Sequence, residues 1–388
     1  MDFELPSELV MLRDNVRRFV NAELMPLEDA YKDDADLPED VRAELQQKAR
    51  DIGFWALDLP EEVGGGGLGY MAMCVVLEEL GRCLVPGFRA PSVFTPFLGP
   101  VLLQLEGDLR ERFLMPVVRG ETRTCFGLTE AGAGSDPSGM KTTAVLSGDQ
   151  FTVNGTKMFI TGADKASFIQ LFVRTGTKDD GSPEISCLLV EMDRPGVALG
   201  QRIELISSDR PWEVVFNDVK VPAAQMVGRR GGGWDLARRF LDVGRLVHGP
   251  KAVGRAERAL AMATDYARER VTFGQPLSRR QAVQWPLADS AVEIHAARLM
   301  TYAAACKADR GEDFHLDASA VKLYADEMQM RVIDRAIQIH GAAGLSRGLA
   351  LEAMYRDART RLITEGSSEM QRMIIANALV SGRRASLY

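Results

Sequence analysis

The chain has 388 residues, 46% hydrophobic and 26% charged, enough for two or three domains with sizeable cores. A formal net charge of −7 and a pI near 5.4 speak against nucleic acid or an anionic membrane as the main partner. No apolar run reaches the roughly 18 residues of a membrane span, and the acidic start Met1-Asp2-Phe3-Glu4 does not read as a signal peptide.

The five cysteines (Cys74, Cys83, Cys125, Cys187, Cys306) are scattered and form no C-x-x-C. They read as reduced thiols, and a cytoplasmic protein is expected. His248, His295, His315 and His340 are dispersed and read as surface or core side chains, so no metal site is expected.

From Ser7 to about Gly120 the pattern is helical. Leu9, Leu12, Val16 and Phe19 recur at helical spacing, and Val41–Ile52 and Met71–Leu84 carry similar stripes. Between them, Pro60–Gly69 formally matches G-x-G-x-x-G. No strand precedes it and no acidic partner follows at dinucleotide spacing, so it reads as a mobile turn.

Near Thr122 the texture changes to short β-branched runs. Thr124–Gly127, Phe168–Arg174, Ile185–Met192 and Glu213–Val221 read as strands, and Phe151–Ile160 as two strand-like runs with the hairpin signal Asn154-Gly155 between them. After Gly231-Gly232-Gly233 the chain is helical again, over Trp234–Arg270 (with Pro250 a possible kink), Arg280–Ala308, Ala318–Ile339 and Ser368–Val380. The expectation is an α+β, mostly α fold with an N-terminal helical domain (1–121), a central β-domain (122–230) and a C-terminal four-helix bundle (231–388).

Four stretches carry chemistry. Leu128–Asp136 places small residues and the hydroxyls of Thr129 and Ser135 in a loop that suits a phosphate or a polar ring edge, though an ordinary glycine loop would look the same. Phe159 and Thr161, two apart on a strand, would share one face, fit for stacking on a planar heterocycle or simply half-buried. Arg270 ends a helix, either complementing its dipole or gripping a pyrophosphate. Glu365 stands on a turn before glycine and a helix start, where Ser368 and Gln371 suggest a capping box.

These motifs, in this order over nearly the whole chain, resemble the acyl-CoA dehydrogenases. The resemblance runs through Pro60–Gly69, Leu128–Asp136, Asn154–Thr161, Glu269–Gly274, Gln338–Gly344 and Ile363–Arg372. It implies an α–β–α subunit of a homotetramer with FAD between the β-domain and the C-terminal bundle. Phe126, Leu128 and Thr129 would lie along the flavin, with Phe159 and Thr161 flanking its ring. Gly134 and Ser135 would line the pyrophosphate and thioester side. Arg270, Phe273, Gln281, Gln338 and Gly341 would reach the FAD of a neighbouring subunit, and Ser367 and Glu369 the adenosine half. Asp242, Arg245 and Gly366, with Ser135, match substrate-side positions.

Glu365 matches the base that removes the α-proton of an acyl-CoA while the β-hydride passes to flavin N5. The product would be a trans-2-enoyl-CoA, with electrons going on to an electron-transferring flavoprotein. Some members carry the base at the position of Gly244, which leaves Glu365 as the candidate here. Ala131 stands where proline is usual, Phe159 where tryptophan is common and Thr364 where an aromatic is frequent. A superfamily flavin oxidase and a subunit of a heteromeric complex are the alternative functions.

Overall fold

A computed structural model describes residues 4–85 and 93–382; the start Met1-Asp2-Phe3 lies outside them. Three helices of 13 residues each come first: α1 (Ser7–Phe19), α2 (Glu39–Asp51) and α3 (Gly69–Gly81). Helix α1 turns Val16 and Phe19 inward, and the Phe19 ring meets Phe94 edge-on at 5.0 Å. The Pro60–Gly69 turn is pinned, contrary to the mobile turn expected. Gly66 donates to the Ala56 carbonyl at 2.9 Å and Gly67 to that of Leu59 at 2.8 Å. A Cβ at Gly65 would overlap the Leu59 backbone, so the glycine serves close packing.

Eight strands follow: β1 (Thr124–Gly127), β2 (Thr143–Ser147), β3 (Gln150–Ile160), β4 (Phe168–Thr177), β5 (Pro183–Glu191), β6 (Val197–Arg202), β7 (Trp212–Pro222) and β8 (Met226–Val227). They form one sheet in the order β6-β7-β3-β2-β4-β5-β8, with β1 added parallel to β4. Alternation along β4 sorts its side chains between two cores. Phe168 and Phe172 face the helical side, while Ile169, Leu171 and Val173 join Phe151, Val153, Val214 and Phe216 in the β-domain's own core. Burying each of these large apolar side chains contributes about 1.5–3 kcal/mol.

Asn154-Gly155 is not a hairpin turn. It sits inside β3 at a register shift opposite β7. Gly155 has φ +145°, and a Cβ there would come within 2.5–2.7 Å of Thr142. Asn154 accepts from the backbone N–H of Asp218 at 2.8 Å, locking a β-bulge. The hairpin turns one step earlier at Gly148, joining β2 to β3, and β2 carried no signal strong enough to be expected.

The C-terminal part begins with α4 (Gly233–Glu269), 37 residues long and unbroken through Pro250. A small hairpin, β9 (Val271–Thr272) and β10 (Gln275–Pro276), leads to α5 (Gln281–Asp309), α6 (His315–His340), α7 (Ala350–Arg361) and α8 (Ser368–Val380). Five helices therefore stand where four were expected. Helix α7 was missed although Leu351, Met354, Tyr355 and Ala358 keep helical spacing; it is only 12 residues long and rich in charge, and Leu351, Met354 and Ala358 are buried. The spacing of Val321, Tyr324, Ala325, Met328, Val332, Ala336 and Ile339 predicts one apolar stripe on α6, and Val321, Ala325, Met328, Val332 and Ala336 are all at most 2% exposed, with Tyr324 and Ile339 half-buried.

Replacing Gly155 by valine should destabilise the protein by roughly 2–3 kcal/mol, from overpacking against Thr142 and a disfavoured φ. A clear drop in the thermal midpoint checks this; an unchanged midpoint would contradict the bulge's rigidity.

Candidate active site

Glu365 occupies the turn between α7 and α8 with φ +56°, a left-handed conformation that few non-glycine residues adopt. The turn is held from several sides. Ser367, not Ser368, is the N-cap of α8, accepting from Met370 N–H at 3.4 Å. Gln371 reaches back instead to the carbonyl of Gly366 at 2.8 Å. Arg245 Nε donates to the Glu365 carbonyl at 3.4 Å, and its Nη1 lies 3.3 Å from Asp242. Asp242 in turn meets His315 Nδ1 at 2.6 Å. Asp242, Arg245 and Gly366, expected on the substrate side, thus converge on the turn that carries Glu365.

The Glu365 carboxylate points at α4. A Cβ added at Gly244 would overlap its Oε2 and lie 2.8 Å from its Cδ, so the carboxylate fills the space glycine leaves. Oε2 is buried without a hydrogen-bond partner among the described residues. One helical turn further on, His248 Nε2 stands 3.8 Å from Oε2, and His248 Nδ1 is 2.8 Å from the buried Asp326. Burial pushes the Glu365 carboxyl up, but His248, with Lys251 and Lys322 behind it, outweighs this and holds it below the usual carboxylate range. For His248, burial works downward and is outweighed by Asp326 and Glu365, which favour the imidazolium. His248 was not singled out from the sequence. Its signal was the i, i+4 spacing from Gly244, visible only once Gly244 is known to face the base.

The 128–136 loop is anchored by a buried ion pair. Lys157 Nζ lies 2.7 Å from Glu130 and 3.0 Å from the Leu128 carbonyl, while Glu130 accepts from the N–H groups of Lys141 and Thr142. Burial pulls the Lys157 ammonium down to about 8 against the pull of Glu130. The rest of the loop faces open space: Ser135 is exposed, and a Cβ at Gly134 would meet nothing within 4 Å. Thr129 is half-buried, its carbonyl accepting from Met158 N–H at 2.9 Å.

Phe159 has φ +59° and is 50% exposed, while Ile160 is buried. This break in β3 overturns the simple alternation expected for Phe159 and Thr161, and it leaves a free aromatic face at the sheet's end. Phe126 is committed inward, stacked on Phe240 of α4 at 4.1 Å, and Leu128 packs on the same core. Phe240 is one helical turn from Gly244, so this stack sets the distance between the loop and Glu365.

The remaining expected residues form a second group. Arg270, Phe273, Gln281, Gln338 and Gly341 are all exposed, Phe273 at 97% on the β9–β10 turn. Tyr266 stacks on His340 at 4.4 Å, tying the ends of α4 and α6 together there. The 26 residues between Gly244 and Arg270 span about 39 Å of helix. One cofactor bound beside Glu365 cannot also touch Arg270 of the same chain. Ser367 and Glu369 lie beside Glu365, Glu369 exposed in the first turn of α8.

A half-buried carboxylate with one buried, unpartnered oxygen faces a helix, on the same chain as an exposed aromatic face and an open glycine loop, an arrangement that can accept a proton. Family models for the N-terminal, middle and C-terminal domains of acyl-CoA dehydrogenase match residues 6–121, 125–219 and 231–380. The (R)-benzylsuccinyl-CoA dehydrogenase of Thauera aromatica is 36% identical over 99% of this chain and 98% of its own length. The human mitochondrial short-chain specific acyl-CoA dehydrogenase is 35% identical over 98% and 92%. The structure of butyryl-CoA dehydrogenase from Megasphaera elsdenii superposes with a TM-score of 0.87 at 32% identity, covering 98% of this chain and 100% of that one. The chain belongs to the acyl-CoA dehydrogenase family: it is an FAD-dependent oxidoreductase acting on CH–CH donors. Among the described residues no metal cluster is present and no helix is long and apolar enough to cross a membrane.

Two substitutions probe this geometry. Gly244→Ala should displace the Glu365 carboxylate and lower kcat about 100-fold, with the fold intact by circular dichroism. His248→Leu removes the charge that keeps Glu365 ionised, so the acid limb of the kcat/KM–pH profile should move to higher pH; an unmoved limb would contradict the coupling.

Proposed function

We propose that the chain dehydrogenates an acyl-CoA thioester between its α- and β-carbons, with Glu365 taking the α-proton. The observation that carries this is the buried, unpartnered Oε2 of Glu365, aimed at the Cβ-free surface of Gly244. A base needs a lone pair free of other donors, and this oxygen has one. The weak acidity of the α-C–H requires a polarised thioester carbonyl. The backbone N–H of Glu365, in a turn opened by Gly366, is the donor this chain offers. Arg245 fixes that turn through the Glu365 carbonyl, and Asp242 and His315 fix Arg245.

The residues fit FAD. Phe159 offers a free aromatic face, Thr161 and Thr129 offer hydroxyls, and Gly134 and Ser135 border open space where a pyrophosphate could approach backbone N–H groups. Bound there, FAD supplies the hydride acceptor for the β-carbon. Phe126 and Leu128 set the loop against the core, and Ser367 and Glu369 would border the adenosine half. The distance along α4 supports giving Arg270, and with it Phe273, Gln281, Gln338 and Gly341, to a cofactor held by a second copy. This reading expects a homo-oligomer as the working unit, a tetramer built from such dimers. An electron-transferring flavoprotein is the acceptor that this reading expects.

Anaerobic titration with acyl-CoA thioesters should bleach the flavin absorbance. Glu365→Gln should keep the bound flavin but slow bleaching by about 10³-fold; bleaching at the original rate would remove Glu365 from its role. Arg270→Met should weaken FAD retention roughly 10- to 100-fold, read as flavin lost on gel filtration, while Glu365 and its surroundings stay intact.

A further inference from the structure

Lys157 and Glu130 form an ion pair deep in the β-domain, their side chains 0% and 7% exposed and 2.7 Å apart. Taking both charges out of water costs much of what their attraction returns. Well-packed apolar side chains in their place are often as stable or more so. Stability alone is therefore a weak reason for the pair, and its contacts point to another.

The Lys157 ammonium donates to the Leu128 carbonyl at 3.0 Å and to Glu130, so it grips the loop on both sides of Thr129. Met158, the next residue, donates its N–H to the Thr129 carbonyl at 2.9 Å. Glu130 accepts from Lys141 N–H at 2.7 Å and from Thr142 N–H at 3.0 Å, which closes the far end of the loop on the same carboxylate. Between Lys157 and Ile160 the ladder from β3 to β7 loses its register. Met158 turns to the loop there, and Phe159 takes its positive φ. Where sheet pairing is interrupted, the loop and the strand end therefore hold each other, and Lys157 is the side chain at the centre of that contact.

We propose that Lys157 is a positioning residue for FAD: its ammonium, through Glu130 and the Leu128 carbonyl, keeps the Thr129 loop and the Phe159 strand end in the arrangement that binds the cofactor. This rests on the placement of FAD under the proposed function. Burial pulls the Lys157 ammonium down to about 8 against the pull of Glu130. Burial pushes the Glu130 carboxyl up, but Lys157 outweighs this and holds it below the usual carboxylate range. Glu130 is the charged group acting on Lys157 among the described residues. Val214, paired with Lys157 across β7, is apolar, and Lys141 meets Glu130 through its backbone while the residue itself is exposed. When Lys157 loses its proton, Glu130 is left buried without a counter-charge, and the Leu128 carbonyl faces only a neutral amine. FAD binding is thereby linked to one proton: affinity is full below about pH 8 and falls above it.

The test dilutes FAD-loaded protein through a concentration series at several pH values on either side of about 8, with flavin fluorescence reporting the FAD released. The wild-type Kd for FAD should be level at the lower pH values and rise by up to about tenfold per pH unit at the higher ones. Lys157→Arg keeps its charge throughout and should give a level profile. Lys157→Met combined with Glu130→Gln removes both charges but keeps an acceptor for the Lys141 and Thr142 N–H groups. It should raise Kd about tenfold or more at every pH, with a level profile and little change in the thermal midpoint of the flavin-free protein. A level wild-type profile overturns the proposal, and so does a double variant that holds FAD as tightly as the wild type, whether or not it melts early. Because the wild-type profile needs no substitution, it decides the question even where a variant does not fold. Phe159→Ala separates this proposal from the placement of FAD on which it rests. If that change also leaves Kd unaltered, the placement is at fault; if it weakens FAD binding while the double variant does not, only the role of Lys157 falls.

Discussion

The structure depends on how closely its longest helix can be approached. Helix α4 has glycines at 244, 249 and 254, and each step of five residues turns the helix by about 140°, so the three open different faces. Gly244 admits the Glu365 carboxylate. A Cβ at Gly249 would lie 2.5 Å from Val321 of α6, and one at Gly254 would overlap the Glu78 carbonyl of α3. Gly81 of α3 makes the reciprocal approach to the Lys251 backbone. The N-terminal helices, the bundle and the Glu365 turn are therefore all seated against one rod, and Glu365 inherits the precision of its packing.

Backbone strain is concentrated where chemistry is expected. Among the described residues, the non-glycine residues with positive φ are Ala56, Phe159, Asp218, Phe273 and Glu365, and three of these five belong to the sites already described. Each such residue costs on the order of 1–3 kcal/mol, which the surroundings must offset. For Glu365 the offset is visible in the Arg245 and Gln371 contacts on the turn. For Phe273 it is the two-residue hairpin with Gly274, braced by Arg280 donating to the Thr272 carbonyl at 2.6 Å. Strain keeps these side chains projecting where ordinary strand or helix geometry would fold them in.

Much of this was legible in the sequence because the signals were periodic or came in a fixed order. The α6 stripe, the apolar runs of β4 and β5 and the Glu365-Gly366 turn could all be read from spacing. Failures fall where a residue's role is set by a distant partner. Asn154-Gly155 carries turn chemistry, but Asp218 and Thr142 convert it into a bulge within a strand. Ser368 and Ser367 offer similar capping patterns, and only the backbone at Glu365 decides between them. His248 looks like any core histidine until Gly244 and Glu365 are seen to share one space.

The same placement explains how one carboxylate can be both ionised and reactive. Buried alone, Glu365 would hold its proton and be useless as a base. Bound tightly to a donor it would be ionised but too well stabilised to accept a proton. His248 at 3.8 Å avoids both extremes: it supplies charge across a gap longer than a hydrogen bond, leaving Oε2 without a donor. Asp326 keeps the imidazole oriented and favours its protonated form. On the proposed function, substrate displacing water from this pocket would enlarge the burial contribution and make the carboxylate a stronger base when a proton is within reach.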